Sequence, residues 1–309
     1  MGKKINFDSN KDIPDLSGKV IIVTGGNSGL GKETVLQLTK HNPHSLYMGA
    51  RSKSKAEEAI AEIKTIVPNA NIKFILLDIS SLASVKRGAD AFLAENDRLD
   101  ILINNAGVMG LPPGLTEDGY EVQFGTNHMG PALFTKLLLP TLQKTASLQG
   151  ADVRIVNLSS EALKFGPPSG LMLAQNKTPL SSLSGAQRYG QSKLANLYFS
   201  QLLAKKYPNI KTNAIHPGLI RTGITNNYTN NHWYISWILA IVFKLFLSDA
   251  HEGAKPQLFA ATGKKDVVKS GAFYFPCVRE WEGNMMTRNG ELAEELWVWT
   301  EAELKSKGF

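Results

Sequence analysis

The stretch Lys19 to Gly31, KVIIVTGGNSGLG, decides how the chain is read. Val20, Ile21, Ile22 and Val23 are β-branched and uniformly apolar, the pattern of a parallel strand covered by helices on both faces. The run stops in Gly25, Gly29 and Gly31, spaced G-x3-G-x-G, with Asn27, Ser28 and Leu30 among them. Missing Cβ atoms let the backbone turn sharply and let an anionic group approach it and the N-terminus of the next helix, predicted over 32–40. Strand, phosphate loop and helix in this order form a dinucleotide-binding arrangement, although the spacing departs from the commonest G-x-G-x-x-G. For this stretch alone, a glycine turn with a purely structural role is the alternative.

Outward from the loop, strands and helices alternate. Strands are predicted at 45–49, 72–77, 101–103, 153–158 and 211–215, and helices over 55–67, 81–95, about 121–143 and about 187–206. Repeated strand, helix, strand units imply an α/β fold, a single-domain Rossmann-type doubly wound parallel β-sheet with helices on both faces. Ligands of such sheets sit beyond the carboxyl ends of the strands. With 309 residues, 43% of them hydrophobic and 20% charged, the chain suits one large domain. Residues 1–16 read as a polar N-terminal extension and 17–309 as one catalytic domain. The single cysteine, Cys277, excludes an internal disulfide framework and agrees with a reducing, cytoplasmic setting. A net charge of +7, scattered without interleaved aromatics, argues against nucleic acid and suits an anionic cofactor or a membrane surface. Six histidines without ligand spacing leave metal catalysis unsupported.

The chemistry is carried by Tyr189-Gly190-Gln191-Ser192-Lys193, which puts a phenol and an ammonium one helical turn apart. A tyrosine of pKa ~10 is a poor base at neutral pH, and making it a useful one takes roughly 4 kcal/mol of preferential stabilisation of the phenolate. Lys193 together with a cationic nicotinamide is expected to supply it. With Thr24-Gly25-x3-Gly29-x-Gly31, Asn104-Asn105-Ala106-Gly107, Ser159-Ser160, Tyr189-x3-Lys193 and Pro217-Gly218 in one order, residues about 17 to 275 resemble the short-chain dehydrogenase/reductase superfamily. Ala50-Arg51-Ser52, the Asn127 segment GTNHMG, the long insertion between Ser160 and Tyr189, the SKLAN run and the Phe-Tyr-Phe segment near the C-terminus resemble its retinol dehydrogenase and WW-domain oxidoreductase branch.

The resemblance implies Tyr189 as general acid in carbonyl reduction and general base in alcohol oxidation. It implies that Lys193 lowers the tyrosine's pKa and binds the nicotinamide ribose. Ser160 would hold the substrate oxygen, with Ser159 as the neighbouring alternative, and Asn127 would hold a water in a proton relay, its other reading being an asparagine that kinks the long helix. Asp78 would contact the adenine ring, and Asn105, with Ala106 and Gly107, would line the adenosine side of the cleft. Asn104 alternatively ties neighbouring strands together. Pro217 and Gly218 open a loop in which Ile220 approaches the nicotinamide carboxamide with its backbone and Thr222 hydrogen-bonds it. At the end of the second strand stands Arg51 rather than a carboxylate, which favours the 2′-phosphate of NADP(H) over the free ribose hydroxyl of NAD.

The reading is therefore an NADP(H)-dependent oxidoreductase acting on a small lipophilic carbonyl or alcohol. A non-catalytic NADP-binding sensor or scaffold, and an isomerase or dehydratase on the same fold, are the alternatives. Trp233 to Leu247, WYISWILAIVFKLFL, lies in an expected substrate lid over about 223–250. As a helix it would span about 22 Å, short of the ~30 Å of a hydrocarbon core. Three roles stay open for it: the lid itself, an interfacial helix giving peripheral contact with an intracellular membrane or lipid surface, and a contact in a homodimer.

Overall fold

The computed structural model describes residue 2, residues 4–218 and residues 250–309. Ile220, Thr222, the stretch 233–247 and the expected lid apart from Ala250 lie outside the described residues. The elements are β1 (Val20–Thr24), α1 (Gly29–Thr39), β2 (Ser45–Ala50), α2 (Lys53–Ile66), β3 (Ile72–Leu76), α3 (Leu82–Glu95) and β4 (Ile101–Asn104). Next come α4 (Val122–Phe124), a π-helical turn (Gly125–Met129), α5 (Gly130–Ala146), β5 (Val153–Leu158), α6 (Gly185–Lys206) and β6 (Ile210–Ile215). After the undescribed stretch follow α7 (Ala250–Thr262), β7 (Phe273–Phe275), β8 (Arg279–Glu280) and α8 (Gly290–Ser306).

One sheet runs in the order β3-β2-β1-β4-β5-β6-β7-β8, parallel throughout except for the β7–β8 pair. Successive strand residues point to opposite faces, so Val20 and Ile22 feed one core while Ile21 and Val23 feed the other. The same split sends Leu102 and Ile155 one way and Ile101, Ile103 and Val156 the other. The strand order reverses between β1 and β4, and that reversal opens a crevice at the carboxyl ends of the strands. Ile13 and Leu16 of the N-terminal segment are buried in the second core, and the Ile5 N–H donates to the Val278 carbonyl at 3.0 Å.

The long helix expected over about 121–143 is broken by the π-helical turn that contains Asn127. Pro131, four residues after Asn127, has no N–H to give to the Asn127 carbonyl, so an α-helical bond is missing there by necessity. The Gly130 N–H reaches back five residues to the Gly125 carbonyl instead. Gly130 also lets the chain press on the loop after β3, since a Cβ on it would run into the Ile79 carbonyl. Helix propensity alone would make Gly130→Ala stabilising by about 1 kcal/mol. The contact with Ile79 reverses the sign: the variant is expected to lose about 1–3 kcal/mol in urea denaturation, and an unchanged or raised midpoint would contradict this packing.

Candidate active site

The phosphate loop is built by what Gly31 lacks. A Cβ on Gly31 would collide with the Gly25 carbonyl oxygen, so only glycine lets α1 start against the end of β1. Gly25 takes φ +67°, and its N–H donates to the Gly49 carbonyl on β2 at 2.7 Å. Ser28 is the N-cap residue of α1, yet its side chain accepts no capping hydrogen bond, and the first turn holds no acidic residue. The helix N-terminus is thus left to an external anion. Asn27 is half-buried, Ser28 and Gly29 are exposed, and Leu30 is packed in the core.

The neighbouring strand ends close the cradle. Asn105 Nδ2 donates to the Thr24 carbonyl at 2.8 Å, and the Ala106 N–H donates to Thr24 Oγ1 at 3.0 Å. Asn105 Oδ1 is buried without a hydrogen-bond partner, an acceptor site that suits a ligand donor. Asn104 Nδ2 donates instead to Thr135 Oγ1 and Asn157 Oδ1, at 2.9 and 2.8 Å, tying β4 to α5 and β5. Arg51 is exposed just past β2. Asp78, just past β3, is half-buried and accepts from the Ser80 N–H and hydroxyl at 2.9 and 2.6 Å. An uncapped helix N-terminus, a glycine-rich turn and an orphaned amide oxygen together fit a dinucleotide.

The reactive groups converge at the end of β5. Lys193 Nζ lies 5.4 Å from the Tyr189 ring centroid and donates to the Leu158 carbonyl at 3.0 Å. The same carbonyl accepts from Asn196 Nδ2 at 2.9 Å, so one turn of α6 is pinned to the strand end. Ser159 and Ser160 leave the strand in different directions. Ser159 is buried and its hydroxyl donates to the Lys193 carbonyl at 2.7 Å, whereas Ser160 is half-buried, accepts from the Ala162 N–H at 3.1 Å and lies on the Tyr189 side, where it lowers the phenol's pKa. Asn127 Oδ1 accepts from the Val108 N–H at 2.7 Å, and its Nδ2 donates to the Val108 carbonyl and to Ser192 Oγ, each at 2.9 Å. A Cβ on Gly107 would lie 3.0 Å from Asn127 Oδ1 and 3.5 Å from Lys193 Nζ, so the bare backbone after β4 runs directly beside both groups. Pro217 and Gly218 follow β6, and Gly218 takes φ +89°. Among the described residues no cluster of three potential metal ligands occurs.

The protein's own groups favour the neutral forms of Tyr189 and Lys193. Burial pushes the Tyr189 phenol up to about 12, opposed by the Ser160 hydrogen bond, while burial pushes Lys193 down to about 7. The half-discharged ammonium, turned toward the Leu158 carbonyl, does not overcome the cost of a phenolate in this site. His216, beside the cleft, is pushed down to about 4 by burial against the opposing pull of Glu161, and is neutral at pH 7.

The family model for short chain dehydrogenase matches residues 19–233. A short-chain dehydrogenase/reductase of Armillaria gallica is 39% identical over 300 residues, spanning 96% of this chain and 94% of its own. The chain belongs to the short-chain dehydrogenase family. Mouse retinol dehydrogenase 12 is 37% identical over 297 residues, covering 94% of this chain and 86% of that protein. The crystal structure of an uncharacterized protein from Mycobacterium paratuberculosis superposes with a TM-score of 0.74 at 28% identity, covering 99% and 98% of the two chains. The family's fold carries oxidoreductases acting on CH–OH groups with nicotinamide cofactors, and this chain is such an oxidoreductase, with retinol dehydrogenase-like relatives.

Burying Lys193 has a cost for stability. Its pKa is about 7 in the folded chain against an ordinary 10.5, so the penalty is full below pH 7 and disappears as pH rises from about 7 toward 10.5. Lys193→Met should therefore raise the thermal midpoint, more at pH 6 than at pH 9. A midpoint that falls equally at both pH values would show that the ammonium stabilises the fold.

Proposed function

We propose that the protein is an NADP(H)-dependent oxidoreductase that interconverts a lipophilic alcohol and its aldehyde or ketone, with Tyr189 as the acid/base. The observation that carries this reading is the convergence of Tyr189, Lys193 and Ser160 at the end of β5, beside the bare backbone of Gly107. When bound, the nicotinamide supplies or accepts the hydride. In reduction, the Ser160 hydroxyl steadies the carbonyl oxygen and the Tyr189 phenol gives its proton to that oxygen, leaving an alcohol. In oxidation the proton returns to Tyr189. Lys193 binds the nicotinamide ribose and steadies the phenolate formed in each cycle. Asn127 has spent its side chain on Val108 and Ser192, which holds the turn in place beside Lys193, and we assign to this residue the relay water.

We assign the cofactor contacts residue by residue. Gly25, Asn27, Ser28, Gly29, Leu30 and Gly31 receive the pyrophosphate, and Asp78, Asn105, Ala106 and Gly107 receive the adenosine side. Pro217 and Gly218, continuing into Ile220 and Thr222, receive the nicotinamide. Arg51, exposed and with no carboxylate at the end of β2, receives the 2′-phosphate. A lipophilic substrate is supported by the retinol dehydrogenase relative and by the apolar sequence at 233–247, which we assign to a lid over the substrate. A phenol held near 12 is protonated at neutral pH, the state that carbonyl reduction uses, while the net direction is set by the cofactor pool and is reduction where NADPH predominates.

Tyr189→Phe should cut carbonyl reduction by about 100-fold or more with NADPH affinity nearly unchanged, measured by nicotinamide absorbance and by fluorescence titration. A variant that keeps a tenth of wild-type turnover refutes the assignment. Arg51→Asp should weaken NADPH by about tenfold or more and spare NADH; equal weakening of both would make Arg51 a turn residue only. Alcohol oxidation should keep accelerating through alkaline pH, as the phenol approaches about 12. A plateau already at neutral pH in wild type that persists in Tyr189→Phe would show that the tyrosine is not the base.

A further inference from the structure

Immediately before Tyr189 stands Arg188, and both it and Glu121, the N-cap residue of α4, are buried. Arg188 Nη1 donates to Glu121 Oε1 at 3.1 Å, and Nη2 donates to the Leu111 carbonyl at 3.0 Å. The other carboxylate oxygen of Glu121 accepts from the Gln123 and Phe124 N–H groups at 3.0 and 2.7 Å, capping α4. The Glu121 N–H in turn donates to the Asn176 carbonyl at 2.7 Å, and Asn176 Oδ1 accepts from Gln191 Nε2 at 3.1 Å. One ion pair thus joins the first turns of α6, the N-terminus that leads into the Asn127 turn, and the loop that descends from Gly107. The insertion before α6 is tied in through Asn176.

We propose that Arg188 and Glu121 are positioning residues for the reaction, fixing Tyr189 relative to Asn127 and the Gly107 backbone. This inference rests on the oxidoreductase reading above. A buried ion pair adds no more stability than an apolar pair of similar volume, because desolvation offsets the attraction. What the guanidinium fork adds is direction, since it engages two acceptors on different segments at once. Tyr189 lies in the second turn of α6, whose N-terminus a reciprocal Ser184–Gln187 capping box already closes, so what the ion pair adds is the placement of that turn against α4 and the loop at Leu111. Proton transfer tolerates little displacement, and a 1 Å error costs about 100-fold. The pair does not act through charge: burial and Ser160 set the phenol's pKa, and Glu121 neutralises Arg188 locally.

The test compares wild type with Glu121→Gln/Arg188→Gln, which keeps a capping acceptor without charge, and with Arg188→Lys, which keeps the charge but cannot span both acceptors. Each is assayed for kcat and KM with NADPH and an aliphatic aldehyde, for NADPH affinity by fluorescence, and for thermal midpoint. The expected result for the double variant is a fall in kcat of about tenfold to 100-fold, with KM, NADPH affinity and the shape of the pH profile retained. Arg188→Lys should lose kcat in the same direction, and it serves alone should the double variant fail to fold. Wild-type kcat in either folded variant overturns the proposal, as does a shifted pH profile, which would mark an electrostatic role. A wild type that oxidises no NADPH with any of a panel of lipophilic carbonyls removes the underlying reading and this inference with it, whereas active wild type and indifferent variants remove the pair alone.

Discussion

The close approach of residues 25 and 31 is the constraint on which the cofactor cradle depends. The first turn of α1 can lie against the end of β1 only because Gly31 has no side chain to meet the Gly25 carbonyl. That contact aims the uncapped helix N-terminus at the crevice, and Thr24 then gives Asn105 and Ala106 their partners across the β1–β4 reversal. Helix dipole, free N–H groups and open space coincide at one point because two glycines permit it.

The chemistry end of the crevice is held differently, by polar side chains that reach strand-end carbonyls. The Leu158 carbonyl takes Lys193 and Asn196, Ser159 returns a bond to the Lys193 carbonyl, and Asn104 spans β4, β5 and α5. These bonds keep an ammonium and a phenol in a site dry enough to move both pKa values toward the neutral forms. The fold thereby carries two groups whose charged states it disfavours, a cost that residues serving only to pack would not impose.

Much of this was legible in the sequence, because the fold and the motifs rest on local signals. The β-branched run at 20–23 and the glycine spacing after it specify strand and turn without reference to the remainder of the chain. A kink at Asn127 is open in the sequence only as an alternative to its relay role, although Gly125, Gly130 and Pro131 carry its signal: apolar periodicity counts residues and does not register a missing N–H. Ser160 is preferred over Ser159 in the sequence only by resemblance, since adjacent hydroxyls differ in the direction each leaves the strand. The phenol's pKa depends on burial supplied by several elements, which the i, i+4 spacing to Lys193 does not encode. Arg188, Glu121 and α8 escaped for a related reason. Glu121 and Arg188 are far apart in the chain, and the bond between the buried His128 and Thr300, at 3.0 Å, joins the Asn127 turn to a helix whose place only the assembled fold reveals.

The central claim is that the glycine cradle and the Tyr189–Lys193–Ser160 group form one hydride-transfer site. Incubating the protein with NADPH deuterated at nicotinamide C4, once on each face, and a lipophilic aldehyde tests it most directly. The account predicts that deuterium from one face only appears on the carbinol carbon of the product alcohol, with a primary isotope effect on single-turnover rate. NADPH binding without transfer of label to any carbonyl carbon, or label lost to water, would contradict it.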